Sequence, residues 1–235
     1  AIDDVCRAYQ LPCISGKDSM KNDVTLDGRK ISVPPTLLYS LLGNHHDVRK
    51  AVSSDLKQVG DAIYLLGETH QELGASEFAF MLRDETGGGI GGEVPQIDTT
   101  RNLALYKSLT AAMRAGLVAS AHDCSDGGLA VTLAESCFGV NGGCSADLTQ
   151  LTEGCEHLDD WGLLFGESLG RILVSVSPAN QSTFEQAMAG HAAHQVGVVE
   201  SGDSLTFSRD GETLLSASVS ELKAAWKGTL DGGSP

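Results

Sequence analysis

The chain has 235 residues, 41% of them hydrophobic, so it can bury the core of one large domain. Its formal net charge of −15 excludes a general binder of the nucleic-acid backbone, which needs a basic face. No apolar run approaches the ~20 residues of a membrane span, and the opening AIDDVCRAYQ lacks both the basic and the apolar part of a signal peptide.

In chain order, Ile2 to Tyr9 reads as the end of a helix and Leu11 to Ile14 as a short strand. Ser15-Gly16-Lys17-Asp18-Ser19-Met20 then reads as a loop. Gly16 allows close backbone approach to a ligand, Lys17 offers charge to a phosphate, and Ser19 offers a hydroxyl. The spacing is not that of a Walker A loop, and most Gly-Lys-Asp loops are solvated turns. Residues 21–34 are polar and turn-rich and read as a linker. One helix, one strand and a loop cannot bury a core, because independent domains rarely fall below ~40 residues without staples. Residues 1–34 are therefore expected to be the tail of a domain plus a linker, residues 35–228 a second domain, and residues 229–235 a flexible end. With no starting Met, the chain reads as a processed, truncated or recombinant piece.

The second domain has a mixed α/β (α+β) pattern. Thr36–Leu42 is an apolar, strand-like run, and His46–Leu56 has helical spacing. Ala62–Leu66 is a strand ending at Gly67. Gly87 to Gly92 is a glycine-rich loop without the flanking strand and helix of a dinucleotide fingerprint. Leu103, Tyr106, Leu109, Ala112 and Met113 recur at helical spacing, and Gly116 closes that helix. Ile172–Val176, Val196–Val199, Leu205–Phe207 and Leu214–Val219 are further strands. Ser182-x-x-Glu185 and Ser218-x-x-Glu221 have the form of capping boxes.

The most informative segment is His122 to Leu129, HDCSDGGL. It follows the apolar run Leu117–Ala121 and opens an amphipathic stretch, Gly128 to Phe138. Two carboxylates and a hydroxyl therefore sit where a strand turns into a helix. Helix N-termini hold phosphates through free N–H groups, and carboxylates there hold the Mg²⁺ that escorts phosphates. The plainer reading is that Asp and Ser are N-caps and Gly-Gly is a tight turn. Downstream, Glu167 and Arg171 in GESLGR can pair with each other, or serve a metal and a phosphate. His191 and His194 read as the basic end of an Ala-rich helix. Six cysteines show no C-x-x-C pair and read as reduced thiols of a cytoplasmic protein.

SGKDSM, HDCSDGGLAVTLAESCF and LFGESLGRILVSV occur in that order. Together they resemble the C-terminal part of the phosphoribosylformylglycinamidine (FGAM) synthase family, within the AIR synthetase-like superfamily. The resemblance runs over nearly the whole chain. It implies an AIR synthetase C-terminal-type domain, a mixed sheet with helices packed on it, preceded by the tail of an N-terminal-type domain. The family reaction converts formylglycinamide ribonucleotide, ATP and glutamine-derived ammonia to the amidine, and it uses Mg²⁺. The resemblance implies that Asp123 binds the metal, that Gly16 and Ser125 contact ATP or ADP, and that Ser19 contacts the substrate. Lys17 stands where small members of the family often carry a metal-binding Asn. A protonated lysine cannot ligate Mg²⁺, which leans towards the pattern of the larger members. The family's catalytic His and main ATP-binding residues lie outside this chain, so no catalytic residue is assigned and the piece is expected to be inactive alone. A glutaminase domain or subunit is the expected partner, with self-association through a truncated face, and neither nucleic acid nor membrane. The alternatives are a non-catalytic Mg-nucleotide-binding or assembly module, or another AIR synthetase-like ATP-dependent enzyme.

Overall fold

The computed structural model describes residues 2–17, 22–32, 36–45, 47–83, 92–139, 142–153 and 157–228. The chain divides into two compact units, Ala1–Ala51 and Val52–Pro235.

In the first unit, helix α1 (Ile2–Tyr9) forms as the sequence predicts, with Arg7 Nε 2.8 Å from both Asp3 carboxylate oxygens one turn back. Leu11–Ile14 forms no strand. The stretch read as a linker instead contains a hairpin, β1 (Val24–Leu26) and β2 (Arg29–Ile31), with Val24 opposite Ile31. Its turn is Asp27-Gly28, both at positive φ (50° and 76°), as a two-residue hairpin loop requires. Thr36–Leu42 forms no strand either, and Leu37, Leu38, Leu41 and Leu42 lie exposed. An apolar run becomes a strand only where a partner strand supplies its hydrogen bonds. The expected helix at His46–Leu56 shrinks to one 3-10 turn, Val48–Lys50, capped by Asp47 accepting from Arg49 N at 3.2 Å. Ser53, Ser54 and Asp55 follow, residues whose side chains compete with helical hydrogen bonds. His46 itself, the glycine run Gly87–Gly91 and the tail 229–235 lie outside the described residues.

The second unit is a seven-stranded mixed sheet with helices on both faces. In chain order its elements are β3 (Ala62–Leu66), α2 (Glu77–Met81), α3 (Thr99–Arg114), β4 (Ser120–Asp123), α4 (Gly128–Cys137), β5 (Gly143–Asp147), α5 (Asp160–Phe165), β6 (Ile172–Val176), α6 (Gln181–Ala187), β7 (Ala193–Glu200), β8 (Ser204–Arg209), β9 (Glu212–Ser218) and α7 (Val219–Gly228). The spatial order is β4-β6-β3-β7-β5-β8-β9. Strands β5 and β8 run parallel, and the other neighbouring pairs are antiparallel.

Strand β3 lies inside the sheet, between β6 and β7, and is buried on both faces, which explains its unbroken apolar run AIYLL. Ile63 and Leu65 face one core with Leu129 and Leu133 of α4 and Leu163 and Leu164 of α5. Ala62, Tyr64 and Leu66 face the other core with Leu105 and Leu109 of α3 and Phe184 of α6. Each fully buried Leu or Ile contributes about 1.5–3 kcal/mol relative to exposure. Helix α3 ends where the sequence predicts, with Gly116 in the left-handed region at φ 74°.

Three local expectations change. Ser182 lies inside α6 rather than at its cap, and its supposed box partner Glu185 instead accepts from Tyr64 Oη at 2.8 Å. Ser218 does cap α7, accepting from Glu221 N at 3.3 Å. His194 is on β7, and His191 lies in the turn after α6 with Nε2 2.9 Å from Ser108 Oγ. A short α6 and an early strand thus replace the longer helix.

Candidate functional site

HDCSDGGL sits where the sequence places it, at a strand-to-helix turn. Strand β4 is the edge of the sheet, and its last residue, Asp123, pairs with Ile172 of β6. The chain then crosses to α4 through Cys124, Ser125 and Asp126. Cys124 N donates to Arg171 O at 3.0 Å, and Gly128 N donates to Ser125 O at 3.0 Å, closing the turn.

The two glycines are required. Gly127 and Gly128 have φ of 80° and 64°, a region that L side chains avoid. A Cβ on Gly128 would lie 2.5 Å from Gly166 O, so α4 starts flush against the Phe165–Gly166 backbone.

Asp123 and Ser125 are brought together. The Ser125 hydroxyl donates a short hydrogen bond to Asp123 Oδ2, and His122 Nδ1 is 3.3 Å from Oδ1. The Asp123 side chain is 74% exposed. The Ser125 hydrogen bond, more than the neighbouring His122, holds its carboxyl below the ordinary carboxylate range. Ser125 therefore does not act as an N-cap. The N-cap position of α4 is Gly127, which has no side chain to cap it, and Glu167 accepts from Gly127 N instead. The plain capping reading of Ser125 fails here, and its hydroxyl and the Asp123 carboxylate lie exposed beside the start of α4.

Residues the sequence did not single out complete the surroundings. Glu135 on α4 meets His122, with Oε2 2.9 Å from Nε2, so both imidazole nitrogens face carboxylate oxygens. Glu135 lies in the LAE segment thirteen residues on, and only the fold reveals the pairing.

Glu167 and Arg171 do not pair with each other among the described residues. Glu167 Oε1 accepts from Gly127 N at 2.8 Å and from Glu77 N at 2.9 Å, tying the octet's turn to the start of α2. Arg171 is buried, at 1% exposure. Its guanidinium donates to Ser168 O at 3.3 Å, to Thr69 Oγ1 at 3.2 Å and to Gly166 O. Burial pushes its pKa down, while Cys124, Glu72 and Glu167 oppose that shift. Arg171 is thus a brace for the loop, not a surface anion ligand.

Gly16 lies exposed in the first unit with open space around it, and Ser19 lies outside the described residues. No group of three or more His, Cys, Asp or Glu side chains able to hold a metal ion occurs among the described residues. Asp123 can still serve Mg²⁺, which is commonly held by one or two carboxylates together with phosphate oxygens and water. Its exposed carboxylate fits that donor set. No described helix is long and apolar enough to cross a membrane.

Residues 58–210 match the family model of the AIR synthase related protein, C-terminal domain. The chain belongs to this family. Its fold is also that of solved structures from Thermotoga maritima. One, PurL complexed with FGAR, is 19% identical at a TM-score of 0.65, over 74% of this chain and 30% of that one. Another, phosphoribosylformylglycinamidine synthase II, is 18% identical at 0.62 over 74% and 28%. PurL complexed with ATP is 18% identical at 0.60 over 74% and 27%. The chain therefore spans less than a third of the length of the PurL structures it matches. The AIR synthase C-terminal domain match runs from before β3 to the end of β8, and so covers six of the seven strands and the HDCSDGGL turn.

Proposed function

We propose that this chain is the C-terminal portion of an FGAM synthase of the PurL kind, an ATP-dependent carbon–nitrogen ligase of purine biosynthesis. The observation that carries the reading is the orientation of Ser125. Its hydroxyl is turned onto Asp123 rather than onto a backbone N–H of α4, so hydroxyl and carboxylate are presented together at an exposed strand-to-helix turn, which suits a Mg²⁺-escorted phosphate better than a helix cap. Family membership and the likeness to PurL with ATP and with FGAR support it.

In this reading Asp123 holds Mg²⁺, Ser125 and Gly16 contact ATP or ADP, and Ser19 contacts formylglycinamide ribonucleotide. Bound Mg²⁺ would neutralise phosphate charge. Residues 1–34 act as the tail of an N-terminal-type domain plus its linker, and residues 35–228 as the C-terminal-type domain. A glutaminase domain or subunit supplies ammonia, and the setting is cytoplasmic. The exposed Leu37, Leu38, Leu41 and Leu42 support self-association or docking in the complete enzyme.

The chain alone is inactive in this reading. Purified chain given ATP, the ribonucleotide and an ammonium salt should release no phosphate above background, and turnover at an enzymatic rate would overturn the fragment reading. Calorimetry with Mg-ADP separates the second reading, a self-contained nucleotide-binding module: tight binding by the isolated chain favours the module.

A further inference from the structure

Two pairs of thiol sulfurs lie close together among the described residues. Cys137 Sγ and Cys144 Sγ are 3.4 Å apart, but both residues are buried, at 0% and 1% exposure. Cys6 Sγ and Cys13 Sγ are 3.8 Å apart near the surface, with Cys13 exposed and Cys6 partly so. Of the two pairs, only the second is open to a reagent in solution.

Local sequence builds that second pair. Helix α1 ends in a Schellman motif: Leu11 N donates to Cys6 O at 2.9 Å, and Gln10 N donates to Arg7 O at 3.3 Å. Gln10 supplies the left-handed residue of the motif, at φ 56°. The motif turns the chain back on the last turn of α1, and Pro12 restricts the backbone just before Cys13. These contacts all lie within residues 6–13, so the pairing rests on local structure. A disulfide needs its sulfurs about 2.0 Å apart. From 3.8 Å the closure is about 1.8 Å, which modest χ1 rotations of the two cysteines cover. The hydrogen bond to Cys13 holds the Cys6 thiol above its ordinary pKa. Cys6 thus keeps its proton, and the more exposed Cys13 is the first to attack.

We propose that Cys6 and Cys13 form a thiol–disulfide exchange site whose oxidant is a small disulfide such as glutathione disulfide. The Cys13 thiolate attacks one sulfur of the oxidant, forming a mixed disulfide and expelling one glutathione thiolate. Cys6 then gives up its proton and attacks Cys13 Sγ, breaking the mixed disulfide and expelling the second glutathione thiolate. The two cysteine protons end on the two glutathione thiols, and the two electrons lost by the cysteines reduce the oxidant. The product is a Cys6–Cys13 crosslink that ties the segment after α1 to the helix. Excess reduced glutathione reverses it, since exposed disulfides are the labile ones. The site lies wholly within the first unit and is independent of what the octet binds.

The full chain tests this when it is fully reduced and then equilibrated with glutathione buffer without denaturant. Free thiols are blocked with N-ethylmaleimide, and peptides are read by mass spectrometry. Trypsin cleaves after Arg7, between the two cysteines, so the crosslink appears as the joined peptides 1–7 and 8–17. With about 1 mM glutathione the crosslink should exceed glutathione-bound Cys13 by about tenfold, because a thiol held in contact has an effective concentration above the millimolar range of a flexible tether. In concentrated urea that ratio should fall towards unity. Cys6→Ser should instead accumulate the mixed disulfide on Cys13. Gln10→Gly keeps the left-handed residue and should keep the crosslink, whereas Gln10→Val disfavours it and should lower the ratio. A ratio no higher without urea than with it, persistent glutathione-bound Cys13 in the wild type, native pairing of Cys13 with a thiol other than Cys6, or an undiminished ratio in Gln10→Val would overturn the proposal. If Gln10→Val fails to fold, the urea comparison and Cys6→Ser decide.

Discussion

The carboxylate of Glu167 accepts the backbone N–H of Gly127 across a gap of forty residues, at 2.8 Å. The same oxygen takes Glu77 N, so one side chain fixes both the turn that presents Asp123 and the start of α2. Bonds from backbone N–H groups to a carboxylate are stronger than neutral ones. Glu167→Ala should destabilise the protein by about 1–3 kcal/mol, and Glu167→Gln by less, because an acceptor oxygen remains. Urea denaturation of the three proteins checks the order.

Gly128 and Gly116 separate strain from collision. Both have positive φ, but a Cβ at Gly116 meets open space while one at Gly128 strikes Gly166 O. Gly116→Ala should cost about 1–2 kcal/mol of backbone strain. Gly128→Ala should cost more, about 2–4 kcal/mol, because backbone must move against backbone. Equal losses in thermal unfolding would mean that the α4–α5 contact yields freely.

Ser125 governs the titration of Asp123. The folded carboxyl is held below its ordinary range, chiefly by the Ser125 hydroxyl. Its contribution to stability is present above the unfolded carboxylate pKa and is lost as pH falls through the depressed folded value. Ser125→Ala should move the Asp123 midpoint up towards the ordinary value, read by carboxyl-carbon NMR. An unmoved midpoint would assign the shift to His122.

Arg171 donates from all three guanidinium nitrogens, two of the acceptors being carbonyl oxygens. Lysine offers a point charge without that fork. Arg171→Lys should cost about 2–3 kcal/mol and loosen the loop, seen as faster amide exchange at Gly166 and Ser168.

Cys124, Cys137 and Cys144 are buried, with Cys137 Sγ and Cys144 Sγ 3.4 Å apart, whereas Cys13 is exposed. Burial raises the Cys124 thiol pKa. A maleimide should modify Cys13 in the native protein and reach the three buried thiols only in denaturant. Mass spectrometry of peptides distinguishes the two conditions.

The parts legible in the sequence share a property: their signal is local. AIYLL announces a strand, and the spacing of Leu103, Tyr106, Leu109, Ala112 and Met113 announces α3, although the residues it buries are Leu105, Leu109 and Ala112. The turn at HDCSDGGL is legible because an apolar run, two glycines and a helical stretch follow one another, although that helix, expected to be amphipathic, is buried on nearly all sides. What escaped depends on distant partners. Thr36–Leu42 has the composition of a strand but no neighbour to pair with among the described residues, and Ser182 falls one position inside a helix that begins at Gln181. Glu167 looked like the partner of Arg171, four residues away, yet it binds backbone at Gly127 and Glu77. Asp27-Gly28 was the exception, a local hairpin signal inside a stretch whose polarity masked it.

Strand β3 has a consequence for biosynthesis. It is made at residues 62–66, yet both strands that flank it, β6 and β7, come more than a hundred residues later. A nascent chain on the ribosome therefore carries AIYLL with both edges unpaired until those later strands emerge. At about 5–20 residues per second that interval lasts seconds, long enough for chaperones to engage it. The demand for protection during synthesis is thus written into strand order, not into the stability of the finished sheet.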